Sequence, residues 1–140
     1  MNTDPAPVLL ADDSEDDRFL ASVAWQRAAI PNPLLPVEDG RRAVEVLSGR
    51  RATGLPALVL LDLKMPVCNG FEVLAWMRAN PACRRVPVVV LTASDVPGDV
   101  ARAYDLGASS YVVKPSSLED LVELLVALKG WWLTLNVTAR

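Results

Sequence analysis

A doubly wound α/β sheet of five parallel strands, with helices on both faces, is the architecture this sequence predicts. Three observations predict it. Short apolar runs alternate with longer amphipathic stretches five times along the chain. The runs around Val59 and Val89 are apolar at every position, as strands covered on both faces must be. The 140 residues also suit one compact domain with its own core.

Val8-Leu9-Leu10-Ala11 reads as the first strand and ends at Asp12-Asp13. Ser14 suits the N-cap of the next helix, with Asp16 and Asp17 in a first turn where the helix dipole favours negative charge. Phe19, Leu20, Val23, Ala24 and Ala28 recur at helical spacing and predict its apolar face. Pro31, Pro33 and Pro36 break that helix, and Leu34 to Val37 is a weak second strand. Gly40 opens a second helix carried by Ala43, Val44 and Leu47.

Ala57 to Leu61 is the third strand and ends at Asp62. After Gly70, a third helix presents Phe71, Val73, Leu74 and Met77. Val86 to Leu91 is the fourth strand, ending at Thr92; Pro97 suits the first turn of a fourth helix and Gly107 its stop. Ser109 to Val113 is the fifth strand, ending at Lys114-Pro115. Ser116 and Glu119 have capping-box spacing, and Leu118, Leu121, Val122, Leu125 and Leu128 stripe the last helix. The expected strand order is the flavodoxin-like 2-1-3-4-5. One domain is expected over residues 1–140, with a core of about 6–129 and a tail of 130–140.

Composition removes whole classes of function. The chain has no histidine, so histidine-based acid–base catalysis and the usual histidine-containing zinc sites are excluded. Fourteen basic against 17 acidic residues give a net charge of −3, and the only basic runs are the scattered pairs Arg41-Arg42, Arg50-Arg51 and Arg84-Arg85. Nucleic acid and anionic membranes are therefore not expected partners. Cys68 and Cys83 make no disulfide framework. No apolar stretch approaches the roughly 20 residues that span a bilayer, and the first residues lack a basic-then-apolar leader. A cytoplasmic location is expected. Asn136-Val137-Thr138 is a glycosylation sequon, relevant only in a secretory compartment.

The polar residues fall at the carboxyl ends of the strands, where such sheets bind ligands. With order 2-1-3-4-5 the first and third strands are neighbours, so Asp12, Asp13 and Asp62 converge. Packed carboxylates repel unless a cation neutralises them, and an oxygen-only site with room for water suits magnesium, with manganese able to substitute. Thr92 and Lys114 complete an anion site beside the metal. That set describes phosphoryl transfer, with Asp62 the nucleophile of an aspartyl phosphate. The donor histidine must come from another protein.

On these residues the chain resembles bacterial response-regulator receiver domains over nearly its whole length. The match is carried by Asp12-Asp13, by Asp62-Leu-Lys-Met-Pro-Val-Cys-Asn-Gly70, by Thr92-Ala93, and by Tyr111-Val-Val-Lys114-Pro115. The resemblance implies that Asp62 is the phosphoacceptor, served by a sensor histidine kinase. It implies that Asp13, Asp62 and the Lys64 carbonyl bind magnesium directly, with Asp12 acting through bound water. Thr92 would hydrogen-bond the phosphoryl group, Lys114 would pair with it, and Tyr111 would be an aromatic switch that moves inward with Thr92. The Lys114-Pro115 bond would be cis. The protein would be a phosphoacceptor switch with slow self-catalysed dephosphorylation rather than an enzyme. Lys64 and Ser94 are expected to influence how fast the phosphoryl group hydrolyses.

A narrower resemblance is to single-domain regulators paired with bacterial phytochrome kinases. It rests on Ile30-Pro-Asn-Pro-Leu34, on Val37-Glu-Asp-Gly40 and on Trp131-Trp132. It implies a bacteriophytochrome partner, and a homodimer through the last strand, the last helix and the Trp131-Trp132 tail. Three other readings stand beside this one. An aspartate-nucleophile phosphatase usually wants a general acid two residues after its nucleophile, where this chain has Lys64. A flavin-binding fold would need a phosphate cradle at the first loop, where Asp12-Asp13 would repel it. A degenerate receiver would act as a phosphorylation-independent interaction module, which the intact Asp12, Asp13, Asp62, Thr92 and Lys114 argue against.

Overall fold

The computed structural model describes residues 5–50 and 53–135. Its elements run β1 (Val8–Ala11), α1 (Glu15–Arg27), β2 (Leu34–Val37), α2 (Gly40–Gly49), β3 (Leu58–Leu61), α3 (Gly70–Ala79), β4 (Val88–Thr92), α4 (Pro97–Asp105), β5 (Ser110–Val113) and α5 (Leu118–Leu128). The last helix continues as a π-helical stretch, Lys129–Leu135. The sheet has the order β2-β1-β3-β4-β5, and every neighbouring pair is parallel. Among the described residues no helix is long and apolar enough to cross a membrane.

Period-two alternation divides the core. Val8, Leu10, Leu58, Leu60 and Val89 pack with Ala24, Trp25, Leu125 and Leu128 of α1 and α5. Leu9, Ala11, Val59, Leu61 and Val88 pack on the opposite face with Ala43, Leu47, Val73, Leu74 and Met77 of α2 and α3. The Val90 side chain meets Leu63, Phe71 and Ala103, which brings α4 over β4.

Local sequence explains most boundaries. Ser14, Asp39, Asn69 and Ser117 cap α1, α2, α3 and α5, each side chain accepting a backbone N–H three residues on. Pro97 opens α4, and Gly107, at φ +102°, closes it. The cap of α5 is thus Ser117 rather than Ser116, because it is Ser117 that takes the extended backbone facing the Asp120 N–H. Strands β3, β4 and β5 start one or two residues later than the apolar runs suggest, since parallel pairing rather than hydrophobicity sets where a strand begins.

The apolar face expected for α1 is only partly right. Ala21, Ala24 and Trp25 are buried, but Phe19 is 68% exposed and Leu20 40%. The buried stripe runs from Ala21 to Ala28, and Phe19 and Leu20 lie before it. The Ile30–Leu34 segment has a structural role: the Trp25 indole N–H donates to the Asn32 carbonyl at 2.7 Å, and the Asn32 amide donates to the Ala6 carbonyl at 2.8 Å. The described part of the tail, to Leu135, is helical. Trp132 and Leu133 pack against the α1/α5 core, while Trp131 is 57% exposed. Residues 136–140 of the expected tail, with the sequon, lie outside the described residues.

The loop between β3 and α3 stores strain. Val67 sits at φ +67° with its side chain 77% exposed. A β-branched residue in the left-handed region crowds its own backbone, at a cost of about 1–3 kcal/mol. Exposure means that little packing offsets it. Val67→Asn is therefore expected to stabilise the fold by about 1 kcal/mol, because Asn tolerates that conformation. Urea unfolding checks this; a variant less stable than wild type would show that the side chain contributes packing that exposure hides.

Candidate functional site

The site residues continue the sheet. Asp12, Asp62 and Lys114 directly follow β1, β3 and β5, and Thr92 ends β4. Backbone bonds hold them in line: the Asp12 N–H donates to the Val37 carbonyl at 3.1 Å, that of Asp62 to Ala11 at 2.9 Å, and that of Lys114 to Thr92 at 2.7 Å. Their side chains therefore converge at the point where the strand order reverses.

Asp62 is 6% exposed and is held from two sides. Its Oδ1 accepts from the Thr92 hydroxyl at 2.8 Å and from the Lys64 N–H at 3.3 Å, and its Oδ2 accepts from Lys114 Nζ at 3.0 Å. Asp12 is 3% exposed; its Oδ2 lies 2.7 Å from the same ammonium, and its Oδ1 accepts the Ser14 N–H at 3.0 Å. Asp13 is exposed at the mouth. Oxygens of Asp12, Asp13 and Asp62 all lie within 4.8 Å of one another. Three carboxylate oxygens at that spacing, two buried and one open to water, fit a hard divalent cation that keeps part of its hydration shell.

Electrostatics follow the burial. Desolvation pushes the Asp12 carboxyl up, the Lys114 and Ser14 hydrogen bonds oppose this, and the nearby Asp62 charge adds to it. Burial by itself would lower the Lys114 ammonium, but its hydrogen bonds to Asp12, Asp17 and Asp62 outweigh that, and its pKa is raised. Lys114 therefore stays charged at every physiological pH.

Tyr111, half-buried on β5, donates its hydroxyl to the Ser94 carbonyl at 2.7 Å, and its pKa is raised chiefly by desolvation. The ring thus already lies inward over the β4–α4 loop while Thr92 still faces Asp62. Ser94, 6% exposed, donates its own hydroxyl to Asp99 at 2.7 Å, so it ties the loop to α4. On the outer edge of β5 the Tyr111 N–H is covered by the Tyr104 hydroxyl at 3.1 Å. Lys64 is exposed and lines the mouth with Asp13, Asn69 and Arg102.

Two points depart from the sequence reading. Among the described residues no peptide bond is cis, so Lys114-Pro115 is trans. Trans is the intrinsically favoured isomer, and with it Lys114 already reaches its carboxylates. The second is Asp17, read only as a helix-dipole residue, whose Oδ2 lies 2.9 Å from Lys114 Nζ. Its signal in the sequence was weak: the first helical turn after Asp13 points an acid back at the strand ends, but which acid depends on the packing of α1.

Carboxylates from β1 and β3, a hydroxyl from β4 and an ammonium from β5, gathered at the switch point of this sheet, are what defines a receiver domain. The chain belongs to that family: the response regulator receiver domain matches it over residues 8–126. It is 36% identical over 135 residues to the probable methanogenesis regulatory protein FilR2 of Methanothrix harundinacea, covering 95% of this chain and 87% of that one. It is 35% identical over 132 residues to the response regulator Rcp1 of Synechocystis sp., covering 92% and 90%. Among solved structures, the phosphorylated cyanobacterial phytochrome response regulator RcpA superposes with a TM-score of 0.89 at 29% identity, covering 97% of this chain and 99% of that one. The Mn(2+)-bound form of Rcp1 superposes with a TM-score of 0.82 at 32% identity, covering 97% and 100%. The fold and family expected from the sequence are thus confirmed, and phytochrome response regulators are among the relatives.

Proposed function

We propose that this chain is a phosphoacceptor switch: Asp62 takes a phosphoryl group from the phosphohistidine of a sensor histidine kinase, and the loaded domain signals by protein contact. The observation that carries this reading is the Asp62 carboxylate held between Thr92 Oγ1 and Lys114 Nζ, beside Asp12 and Asp13. An Asp62 oxygen attacks phosphorus, the bond to the donor imidazole nitrogen breaks, and that nitrogen keeps the electron pair. Lys114 pairs with the transferred oxygens. Thr92 gives up Asp62 for the phosphoryl group, and Tyr111, its hydroxyl already on the Ser94 carbonyl, is the switch residue beside it. Asp13, Asp62 and the Lys64 carbonyl are the groups suited to hold magnesium or manganese directly, with Asp12 through water; the metal supplies charge neutralisation for in-line transfer. The manganese-bound form of the relative Rcp1 supports a divalent cation as the metal. Catalysis is thus confined to the protein's own loading and slow unloading, in the cytoplasm.

The kinase we infer is a bacteriophytochrome, supported by the likeness to RcpA and Rcp1 over nearly the whole chain. The protein is inferred to form a homodimer through β5, α5 and the Trp131-Trp132 extension. Exposed large apolar groups lie on each, namely Val113 at 46%, Val126 at 46% and Trp131 at 57%. A protein that sediments as a monomer at tens of micromolar, with and without phosphorylation, would sink the dimer.

The direct test is intact-protein mass spectrometry after incubation with acetyl phosphate, with and without magnesium, on wild type and Asp62→Asn. One magnesium-dependent phosphoryl adduct is expected, absent from the variant. No adduct under any condition would turn the reading to a phosphorylation-independent interaction module. A phosphorylated bacteriophytochrome kinase is expected to pass its label to wild type and not to Asp62→Asn.

A further inference from the structure

The Lys114 ammonium has three N–H bonds, and each faces a carboxylate: Asp12 at 2.7 Å, Asp17 at 2.9 Å and Asp62 at 3.0 Å. Asp12 and Asp62 belong to the trio that converges for a cation. Asp17 does not. It stands in the first turn of α1, where its N–H is held by the Ser14 hydroxyl at 3.2 Å.

A phosphoryl oxygen arriving at Lys114 therefore finds no N–H to spare, and one carboxylate must yield. Asp62 is the acceptor itself. The Asp12 side chain is 4% exposed, and leaving the ammonium would strand its charge away from water. The Asp17 side chain is 42% exposed and turns to solvent at small cost. Its negative charge also adds to those that an anionic donor must approach.

We propose that Asp17 is a positioning residue for phosphoryl transfer, one that holds the Lys114 ammonium toward α1 and competes with the incoming phosphoryl group for it. Asp17 thereby sets how fast Asp62 is loaded. The inference rests on Asp62 being the phosphoacceptor. It also makes the start of α1 sense loading, since the Lys114–Asp17 pair loosens when Lys114 turns to the phosphoryl group.

The test is the initial rate of phosphoryl uptake from acetyl phosphate with magnesium, read by intact mass on the full chain. Wild type is compared with Asp17→Asn, Asp17→Ala and Asp17→Glu, each checked by its urea midpoint. Asp17→Asn and Asp17→Ala are expected to load about threefold to fivefold faster at low ionic strength, the size of a half-exposed ion pair. That gain shrinks as salt screens the charge, and Asp17→Glu, which keeps the charge, stays near the wild-type rate. A merely structural role would lower the urea midpoint and slow uptake, with no dependence on salt. Unchanged or slower uptake in Asp17→Asn and Asp17→Ala, with wild type labelled on Asp62, overturns the proposal and leaves the receiver function standing. A wild type that takes no phosphoryl group overturns the function and the proposal together.

Discussion

Replacing Gly70 with alanine is expected to cost about 3 kcal/mol of stability and to abolish phosphoryl uptake in the same stroke. A Cβ there would overlap the Asp62 carbonyl oxygen and come within 2.7 Å of Leu63 Cα. Both are backbone atoms, so no side chain can swing aside. The Gly70 N–H also donates to the Leu63 carbonyl at 3.0 Å, which pins the start of α3 to the end of β3. Relief requires α3 or the loop to move, and the loop carries Asp62. Urea unfolding and the acetyl phosphate adduct measure the two effects. Gly98→Ala in α4, where a Cβ meets nothing within 4 Å, is the control and should stabilise slightly, as Gly→Ala does in an open helix. A Gly70→Ala protein that loads normally would mean that the loop is softer than its contacts indicate.

Lys114→Met should be nearly as damaging, for an electrostatic reason. The ammonium is 17% exposed and neutralises two nearly buried carboxylates, Asp12 and Asp62. Its loss leaves uncompensated buried charge, at a cost of about 3 kcal/mol near neutral pH. Phosphoryl uptake is expected to fall below detection, since no other cation of the described residues faces Asp62. The pH dependence has a definite sign. Without Lys114 the Asp12 carboxyl, already raised by burial, rises further. A group raised in the folded state favours folding when protonated, so the deficit is largest at neutral pH and shrinks on acidification. Millimolar magnesium should restore part of the stability by supplying the missing charge. Urea midpoints at pH 5 and pH 8, with and without magnesium, decide it; a deficit that grew toward pH 5 would show that the carboxylates are not the cause.

The separate roles of Gly70 and Lys114 show what kind of information each part of the chain carries. Gly70 was legible as the start of the third helix, and Lys114 as a strand-terminal cation, because chain order and strand periodicity place them whatever the details of packing. The same logic located Asp12, Asp13, Asp62 and Thr92. Where the reading slipped, the cause was a contact between distant segments. Phe19 and Leu20 fit the helical stripe of α1, yet the packed part of that helix begins at Ala21 and leaves them exposed. The bond before Pro115 is trans, and sequence spacing alone cannot register the isomer that the neighbouring contacts accept. The Trp131-Trp132 segment continues α5 as a π-helix, with one tryptophan packed and one exposed.

By itself, then, the sequence determined the five-unit alternation, the strand order and the identity of the residues at the strand ends, because hydrophobic period and chain order are local properties that topology rules convert into neighbours. Only the tertiary structure decided that Lys114 divides its three N–H bonds among Asp12, Asp17 and Asp62, that Tyr111 rests on the Ser94 carbonyl, and that Ser94 is tied to Asp99. Hydrogen-bond partners depend on ångström-scale approach between elements far apart in the chain, such as the first turn of α1 and the end of β5. No periodicity encodes that distance; it is set by how the helices pack on the sheet.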